Sequence, residues 1–84
     1  MYYTIHSDKL NCDLTFFVPD EGGYLWVRIG NQPRRHACAG GDPDSISIHM
    51  SFRHTTETER ERQFHWECDR WYRSFITMNN NLNQ

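Results

Sequence analysis

The sequence predicts an α+β domain in which an antiparallel β-sheet of four to five strands carries one long C-terminal helix on one face. Two kinds of side chain alternate from Tyr24 to Ile29 and again from Ser45 to Arg53, a pattern typical of strands with one buried face. Apolar residues then recur at helical spacing between Phe64 and Phe75. Because one helix covers one face, the other sheet face is predicted to stay open.

The first part of the chain predicts an edge strand and a β-hairpin. The segment from Tyr2 to His6 is short and rich in aromatic and β-branched residues, which favours an edge strand. The segments Leu14 to Val18 and Tyr24 to Ile29 flank a run of Pro, Asp and Gly residues that favours a turn. These two segments are therefore predicted to pair as a hairpin.

The segment from Tyr24 to Ile29 indicates which sheet face is open. Successive strand residues point to opposite faces, so its two sets of side chains must separate. The aliphatic set is Leu25, Val27 and Ile29, and the aromatic and basic set is Tyr24, Trp26 and Arg28. We expect the aliphatic set to face the helix and the second set to lie on the open face with Thr15 and Phe17.

The middle of the chain predicts a brief strand, a loop and a longer strand. Arg34 to Ala39 is the brief strand, and Gly40 to Asp44 is the loop. From Ser45 to Arg53, alternate side chains are predicted to face the core and the open face. The core set is Ile46, Ile48, Met50 and Phe52, and the open set is Ser47, His49, Ser51 and Arg53.

The C-terminal third predicts the helix. Thr56-Glu57-Thr58-Glu59 fits a capping box at its start. The apolar stripe consists of Phe64, Cys68, Trp71, Tyr72 and Phe75. A polar tail at about residues 79–84 is predicted to end the helix. No linker or repeat divides the chain, which is interpreted as a single domain spanning residues 1–84.

Composition and motifs disfavour several classes of function. The net charge of −2 argues against a general nucleic-acid binder, and no apolar run approaches the roughly 20 residues that span a bilayer. Three cysteines and no visible leader predict a cytoplasmic protein with free thiols. The close pairs His36/Cys38 and His65/Cys68 lack the further ligands or catalytic partners of a zinc or nucleophilic site. We therefore expect no cofactor, no metal and no enzymatic activity.

Two surfaces are predicted to bind a partner. The first is the open sheet face, and the second surrounds Trp66, which lies about 200° around the helix from Phe64. Trp, Tyr and Arg are the residue types that most often dominate protein interfaces. The predicted contact residues are Tyr24, Trp26, Arg28, Arg34, Arg35, His49 and Arg53 on the sheet side, and Arg62, Trp66, Asp69, Arg70 and Arg73 on the helix side.

Each surface has an alternative explanation. Trp66 packed between Arg62 and Arg70 in cation–π contacts explains its position equally well. The open face is also consistent with self-association into a homodimer, or with a minor second core under the loops.

These observations favour a small non-enzymatic protein-binding module. The expected function is that of an inhibitor or regulator of phage or plasmid type, which masks a host protein or complex engaged in defence or nucleic-acid handling. It would be similar in type to inhibitors of CRISPR complexes (anti-CRISPR-like) or of restriction enzymes. The alternative is a module that binds single-stranded nucleic acid, or a DNA-binding regulator, using the open face. No membrane partner is expected.

Overall fold

The computed structural model describes residues 1–52 and 55–82, which form an α+β fold with one long C-terminal helix. A 3₁₀ turn at Ala39–Gly41 precedes the last strand. The strands are β1 (Tyr2–Ser7), β2 (Cys12–Phe17), β3 (Gly22–Tyr24), β4 (Trp26–Ile29), β5 (Arg35–His36) and β6 (His49–Ser51), and the helix is α1 (Glu57–Leu82). The predicted fold class is confirmed. No helix in the described part of the chain is long and apolar enough to cross a membrane.

The strands form two sheets. The larger sheet has four strands in the order β1-β2-β4-β5, all antiparallel, and the smaller sheet pairs β3 with β6. β1 lies at an edge, as predicted, and β2 pairs with β4 across the predicted hairpin. The rest of this layout depends on how the chain passes from β3 to β4.

The prediction of one continuous strand from Tyr24 to Ile29 is wrong, because the strand breaks at Leu25. The Leu25 N–H donates to the carbonyl of Ile48 at 2.9 Å, and its own carbonyl accepts from the N–H of Ala37 at 2.8 Å. Leu25 therefore has one partner on each side and belongs to neither ladder. Gly22 and Gly23 before it have φ of 101° and 139°, which side chains disfavour, and they turn the chain toward β6.

The core lies between the larger sheet and α1. Directly paired residues point to the same face of a sheet, so the pairings of Tyr3 with Phe16 and of Phe16 with Val27 define the inner face. The side chains that are fully buried there and in α1 include Leu14, Phe16, Val18, Leu25, Val27, Phe64 and Cys68. Burying apolar surface of this extent is the main force that holds sheet and helix together.

The helix begins with the predicted capping box. The Glu59 N–H donates to the Thr56 hydroxyl at 3.2 Å, and the Thr56 N–H donates to the Glu59 carboxylate at 3.4 Å. The polar tail predicted at about residues 79–84 does not stop the helix where the tail begins, because α1 continues to Leu82. Neither Gly nor Pro occurs in this stretch, and the lower helix propensity of asparagine alone does not stop a helix.

The strand predicted from Ser45 to Arg53 is shorter in the structure. Met50 and Phe52 are buried as predicted, but β6 includes only His49–Ser51. Before β6, Ser47 forms an isolated β-bridge with Cys38. The core assignment of Ile46 is wrong, since 79% of its surface is exposed. Side chains continue to alternate where no second layer covers the chain. Ile46 therefore lies on the expected side, but no core residues of the described chain pack around it.

Candidate functional site

A row of aromatic rings crosses the open face of the larger sheet. Tyr2 pairs with Phe17, Phe17 with Trp26, and Trp26 with His36, so the four side chains lie side by side on one face. The rings of Tyr2 and Phe17 are 4.9 Å apart, and those of Trp26 and His36 are 4.1 Å apart. One residue from each strand therefore contributes to the row.

The row continues onto the smaller sheet. Tyr24 stacks on His36 with ring centres 4.8 Å apart and meets His49 edge-on at 5.1 Å. A hydrogen bond of 3.1 Å between His36 Nδ1 and the Ser47 hydroxyl holds the central imidazole. We refer to Tyr2, Phe17, Trp26, His36, Tyr24 and His49 as the aromatic row.

Arg34 fills the gap in the middle of the aromatic row. Its guanidinium lies 5.3 Å from the centre of the Phe17 ring and 5.2 Å from that of Trp26, within range of cation–π attraction. The two central rings are half-buried, whereas Tyr2 and Tyr24 are 69% and 48% exposed. The row therefore has covered rings at its centre and an accessible tyrosine toward each end.

A shallow depression lies beside the Tyr2 end of the row. Arg28 is exposed, and in the strand register it lies next to Thr15 on the open face. The depression is lined by Tyr2, Thr15, Phe17, Arg28, Asn31, Gln32, Pro33 and Arg34. Within residues 1–52 and 55–82, neither Arg28 nor Arg34 forms an ion pair with a carboxylate. The depression therefore combines two uncompensated guanidinium groups with an aromatic floor.

Arg35, predicted to share this face, lies on the other one. It pairs with Val27, whose side chain is in the core, and its guanidinium lies 5.6 Å from the centre of the Phe75 ring. Since Arg34 and Arg35 are consecutive in the chain, their side chains separate to opposite sides. Arg53, also predicted for the open face, lies outside the described residues.

The second predicted surface is smaller in the structure. Trp66 is 56% exposed, and the guanidinium of Arg70 lies 5.2 Å from its ring centre. Arg70 also pairs with Glu67 at 3.6 Å. Within the described part of the chain, Arg62 and Arg73 make no such ring contact, and both are exposed. The packing that was the alternative explanation for Trp66 is therefore present on one of the two predicted sides.

Asp69 does not belong to the charged rim around Trp66, contrary to the prediction. Its carboxylate accepts a 3.0 Å hydrogen bond from the Tyr3 hydroxyl and so joins α1 to β1. Burial and the adjacent Asp69 raise the pKa of Tyr3. Asp69 lies only about 60° around the helix from Trp66, and its bond to the long Tyr3 side chain engages it with β1, where Tyr3 also stacks on His65 at 4.2 Å.

Three members of the aromatic row were absent from the predicted contact residues: Tyr2, Phe17 and His36. Alternation places Phe17 on the open face, but it does not show that Phe17 stands beside Trp26. That proximity depends on strand register, which the connection between β2 and β4, with β3 inside it, does not reveal in the sequence. Tyr2 could have been found from the sequence, because an aromatic residue at the start of an edge strand is a candidate for an exposed ring.

The polar groups near His36 make two local contacts. His36 bonds to Ser47, and the Cys38 thiol donates to the His36 carbonyl at 3.8 Å; among residues 1–52 and 55–82 no third polar group bonds to the imidazole. No cluster of three potential metal ligands occurs in the described parts of the chain. Burial, and then the nearby Asp69 and Glu67 carboxylates, raise the pKa of the Cys68 thiol, which keeps it protonated and unreactive.

Comparison with protein-family models, with curated proteins and with solved structures finds no match to this chain.

Proposed function

We propose that the protein is a non-enzymatic binding module whose open sheet face holds a protein partner. The observation that supports this proposal most strongly is the aromatic row, with exposed Tyr2 and Tyr24 toward its ends and Arg34 between them. Exposed aromatic and arginine side chains held in fixed positions lose little conformational entropy on binding, which is why such residues dominate protein interfaces.

The arrangement of the rings supports a protein partner over a single strand of nucleic acid. Nucleic-acid bases stack on the free faces of sheet aromatics. Here the Arg34 guanidinium lies over Phe17 and Trp26, and the His36 ring packs against Trp26 at 4.1 Å. The central rings are therefore engaged within the protein, while Arg28 and the tyrosine edges remain accessible to an irregular partner surface.

The charge of the face supports a partner with acidic side chains. Arg28 and Arg34 border the depression without carboxylate partners in the described residues. Arginine forms bidentate hydrogen bonds with carboxylates, which adds geometric specificity to the attraction. A partner segment with an acidic residue beside an apolar one would fit both the guanidinium groups and the exposed Tyr2 ring.

Binding of this kind acts by masking the surface that the partner needs. An inhibitor of phage or plasmid type, which covers a host defence or nucleic-acid-handling complex, is the form of this function that we propose. The support is an analogy of type: a small domain with a prearranged binding face. We place its action in the cytoplasm, in keeping with three free cysteines.

Affinity capture from the host lysate tests the proposal, with wild type and single variants compared before and after nuclease treatment. A retained partner is then purified and its affinity measured. Tyr24→Ala and Arg34→Ala should each weaken binding about tenfold or more. Trp66→Ala is the matched control, since it removes a ring of similar exposure from the other surface.

Two results would contradict the proposal. If Trp66→Ala abolished binding while both sheet variants bound normally, the helix surface would be the site. If all three variants bound like wild type, neither aromatic surface would be involved.

Binding of single-stranded nucleic acid is the second candidate, favoured by the depression between Arg28 and Arg34, where Tyr2 offers an exposed ring. Its signature would be fluorescence anisotropy of a labelled oligonucleotide that falls steeply with added salt. Arg28→Ala and Tyr2→Ala should then remove the signal. Insensitivity of the captured complex to nuclease and moderate salt would exclude this candidate.

A further inference from the structure

The free edge of β1 carries backbone groups that are open for pairing. Met1 and Val18 exchange two backbone hydrogen bonds, of 3.1 and 2.6 Å. In an antiparallel ladder, hydrogen-bonded pairs alternate with pairs that are not hydrogen-bonded. Tyr2, Thr4 and His6 therefore direct their N–H and C=O groups away from β2, toward the free edge. The opposite parity in β2, where the Asp13 carbonyl accepts from Gly30 at 2.8 Å, agrees with this assignment.

This edge lacks the features with which sheets prevent strand addition. Charged side chains, proline and bulges commonly protect edge strands. β1 spans Tyr2–Ser7 without a lysine, an arginine, an acidic residue, a proline or a glycine, and it pairs with β2 without interruption. The other edge strand, β5, has two residues and follows soon after Pro33. β1 is therefore the edge suited to accept another strand.

The helix leaves this edge accessible. α1 contacts β1 through side chains of the inner face, where the Tyr3 hydroxyl reaches Asp69 and the Ser7 and Tyr72 hydroxyls lie 2.6 Å apart. The Tyr3 ring also stacks on His65 of α1, with ring centres 4.2 Å apart. The helix thus packs against inward-pointing side chains rather than against the outward backbone groups.

We infer that β1 pairs with β1 of a second copy of this chain, antiparallel and with Thr4 at the two-fold axis. This register opposes Thr4 to Thr4 of the second copy and Tyr2 to His6, so every outward N–H and C=O finds a partner. The pairs on the open face are then a small β-branched pair flanked by two aromatic pairs, and Tyr3 meets Ile5 on the inner face. No like charges are opposed, and aromatic and β-branched cross-strand pairs are the favourable ones.

Self-pairing fits this edge because the sequence around Thr4 is self-complementary. Tyr2 and His6 are equally distant from Thr4, so the same contact forms twice across a two-fold axis, as isologous interfaces require. His6 is already oriented by a 2.7 Å contact with Asp13. The axis is perpendicular to the sheet, so the aromatic rows of both copies lie on the same side. The assembly is independent of the proposed function, although it would present that face twice.

A charge-swap experiment tests the two-fold axis directly. Sedimentation velocity over a wide concentration range is expected to show a monomer–dimer equilibrium for wild type. Thr4 is exposed, and Thr4→Lys or Thr4→Glu places two like charges face to face. Each should raise the dimer Kd by about tenfold or more. A mixture of the two variants should dimerise at least as tightly as wild type, which a misfolded variant would not do. Thr58→Lys, at an exposed helix position, is the control for added charge.

Amide hydrogen exchange followed by NMR identifies the surface involved. The amides of Tyr2, Thr4 and His6 should exchange fast in Thr4→Lys and slow down in concentrated wild type, whereas those of Tyr3 and Ile5 stay slow in both. The inference is overturned if wild type remains monomeric at all concentrations. It is also overturned if Thr4→Lys and Thr4→Glu dimerise separately, or if dimerisation leaves the three outward amides exchanging fast.

Discussion

Phe16 and Phe17 are neighbours in β2, yet they belong to regions that are built differently. Phe16 is fully buried on the inner face, where its ring meets Trp71 of α1 edge-on at 5.7 Å. Phe17 is half-buried on the open face, where Tyr2 and Arg34 cover it from the sides. The inner face is covered by the helix. On the open face, side chains of that same face pack against one another and no second layer of the described chain lies over them. Lateral packing of rings fixes their positions and still leaves their edges available to a partner.

The distinction between the two faces would be contradicted if the two phenylalanines contributed equally to the free energy of unfolding. Phe16→Ala removes a ring from a sealed core and should lower the free energy of unfolding by about 3–5 kcal/mol. Phe17→Ala leaves a site that water can fill, and it should cost about 1 kcal/mol. Urea denaturation of both variants measures the difference. Similar losses would show that the open face is as tightly packed as the core.

The contact between the 3₁₀ turn and α1 provides a second matched pair, Gly40 and Gly41. Both have positive φ, of 69° and 76°. A Cβ on Gly41 would lie 2.7 Å from the Phe75 Cα, whereas a Cβ on Gly40 would meet nothing within 4 Å. Gly40→Ala should cost about 1 kcal/mol for its backbone conformation, and Gly41→Ala about 2–3 kcal/mol because strain and overlap add.

Thermal denaturation of the two glycine variants checks this pair. Equal shifts in Tm would mean that the turn does not pack against the helix at Phe75. A larger loss for Gly40→Ala would contradict the placement of both residues.

Alkaline pH should lower the free energy of unfolding through two groups between the inner sheet face and α1, Cys68 and Tyr3. Burial raises the pKa of the Cys68 thiol above its ordinary value of 9.0, so above that pH the unfolded chain releases a proton that the folded chain keeps. The contribution of the protonated thiol to stability is fully present below about pH 9. It is lost as the pH rises further, with a slope of up to about 1.4 kcal/mol per pH unit. Tyr3, whose pKa is also raised, adds in the same direction from its ordinary 10.0.

Urea denaturation between pH 8 and pH 10 measures this slope in wild type and Cys68→Ala. The variant starts from lower stability because a buried group is lost, but its decline with pH should be shallower. Val27→Ala, which removes a buried side chain that has no titratable group, is the control and should keep the wild-type slope. A slope that is the same in Cys68→Ala and wild type would show that the thiol does not titrate between folded and unfolded states.

Much of the architecture could be predicted from local pattern. The alternation around Val27 and the 3.6-residue spacing of Phe64 and Cys68 are imposed by burial on one side, so they mark strands and helix wherever a covering layer exists. Thr56 and Glu59 satisfy each other's backbone groups over a few residues, and their capping box was correctly predicted. The open face likewise follows from having several strands and one helix.

The errors at Leu25 and Asp69 concern partners that are distant in sequence. Leu25 has the parity expected of a strand residue, but its backbone bonds to Ile48 and Ala37 transfer the chain between sheets. Asp69 has the helical position of an outer-side residue, yet the long Tyr3 side chain reaches it from β1. Hydropathy records whether a side chain is buried, and it carries no information about which segment buries it.

By itself, the sequence determined the element types, the inner and outer sets of side chains in β2 and β4, and the presence of aromatic and arginine residues on an uncovered face. Tertiary structure decided that Tyr2, Phe17, Trp26 and His36 form one row and that Arg34, rather than Arg35, covers its centre. The reason is that periodicity is a property of one segment, whereas register couples several strands at once. A shift of one residue in any ladder would have moved a ring of the row into the core.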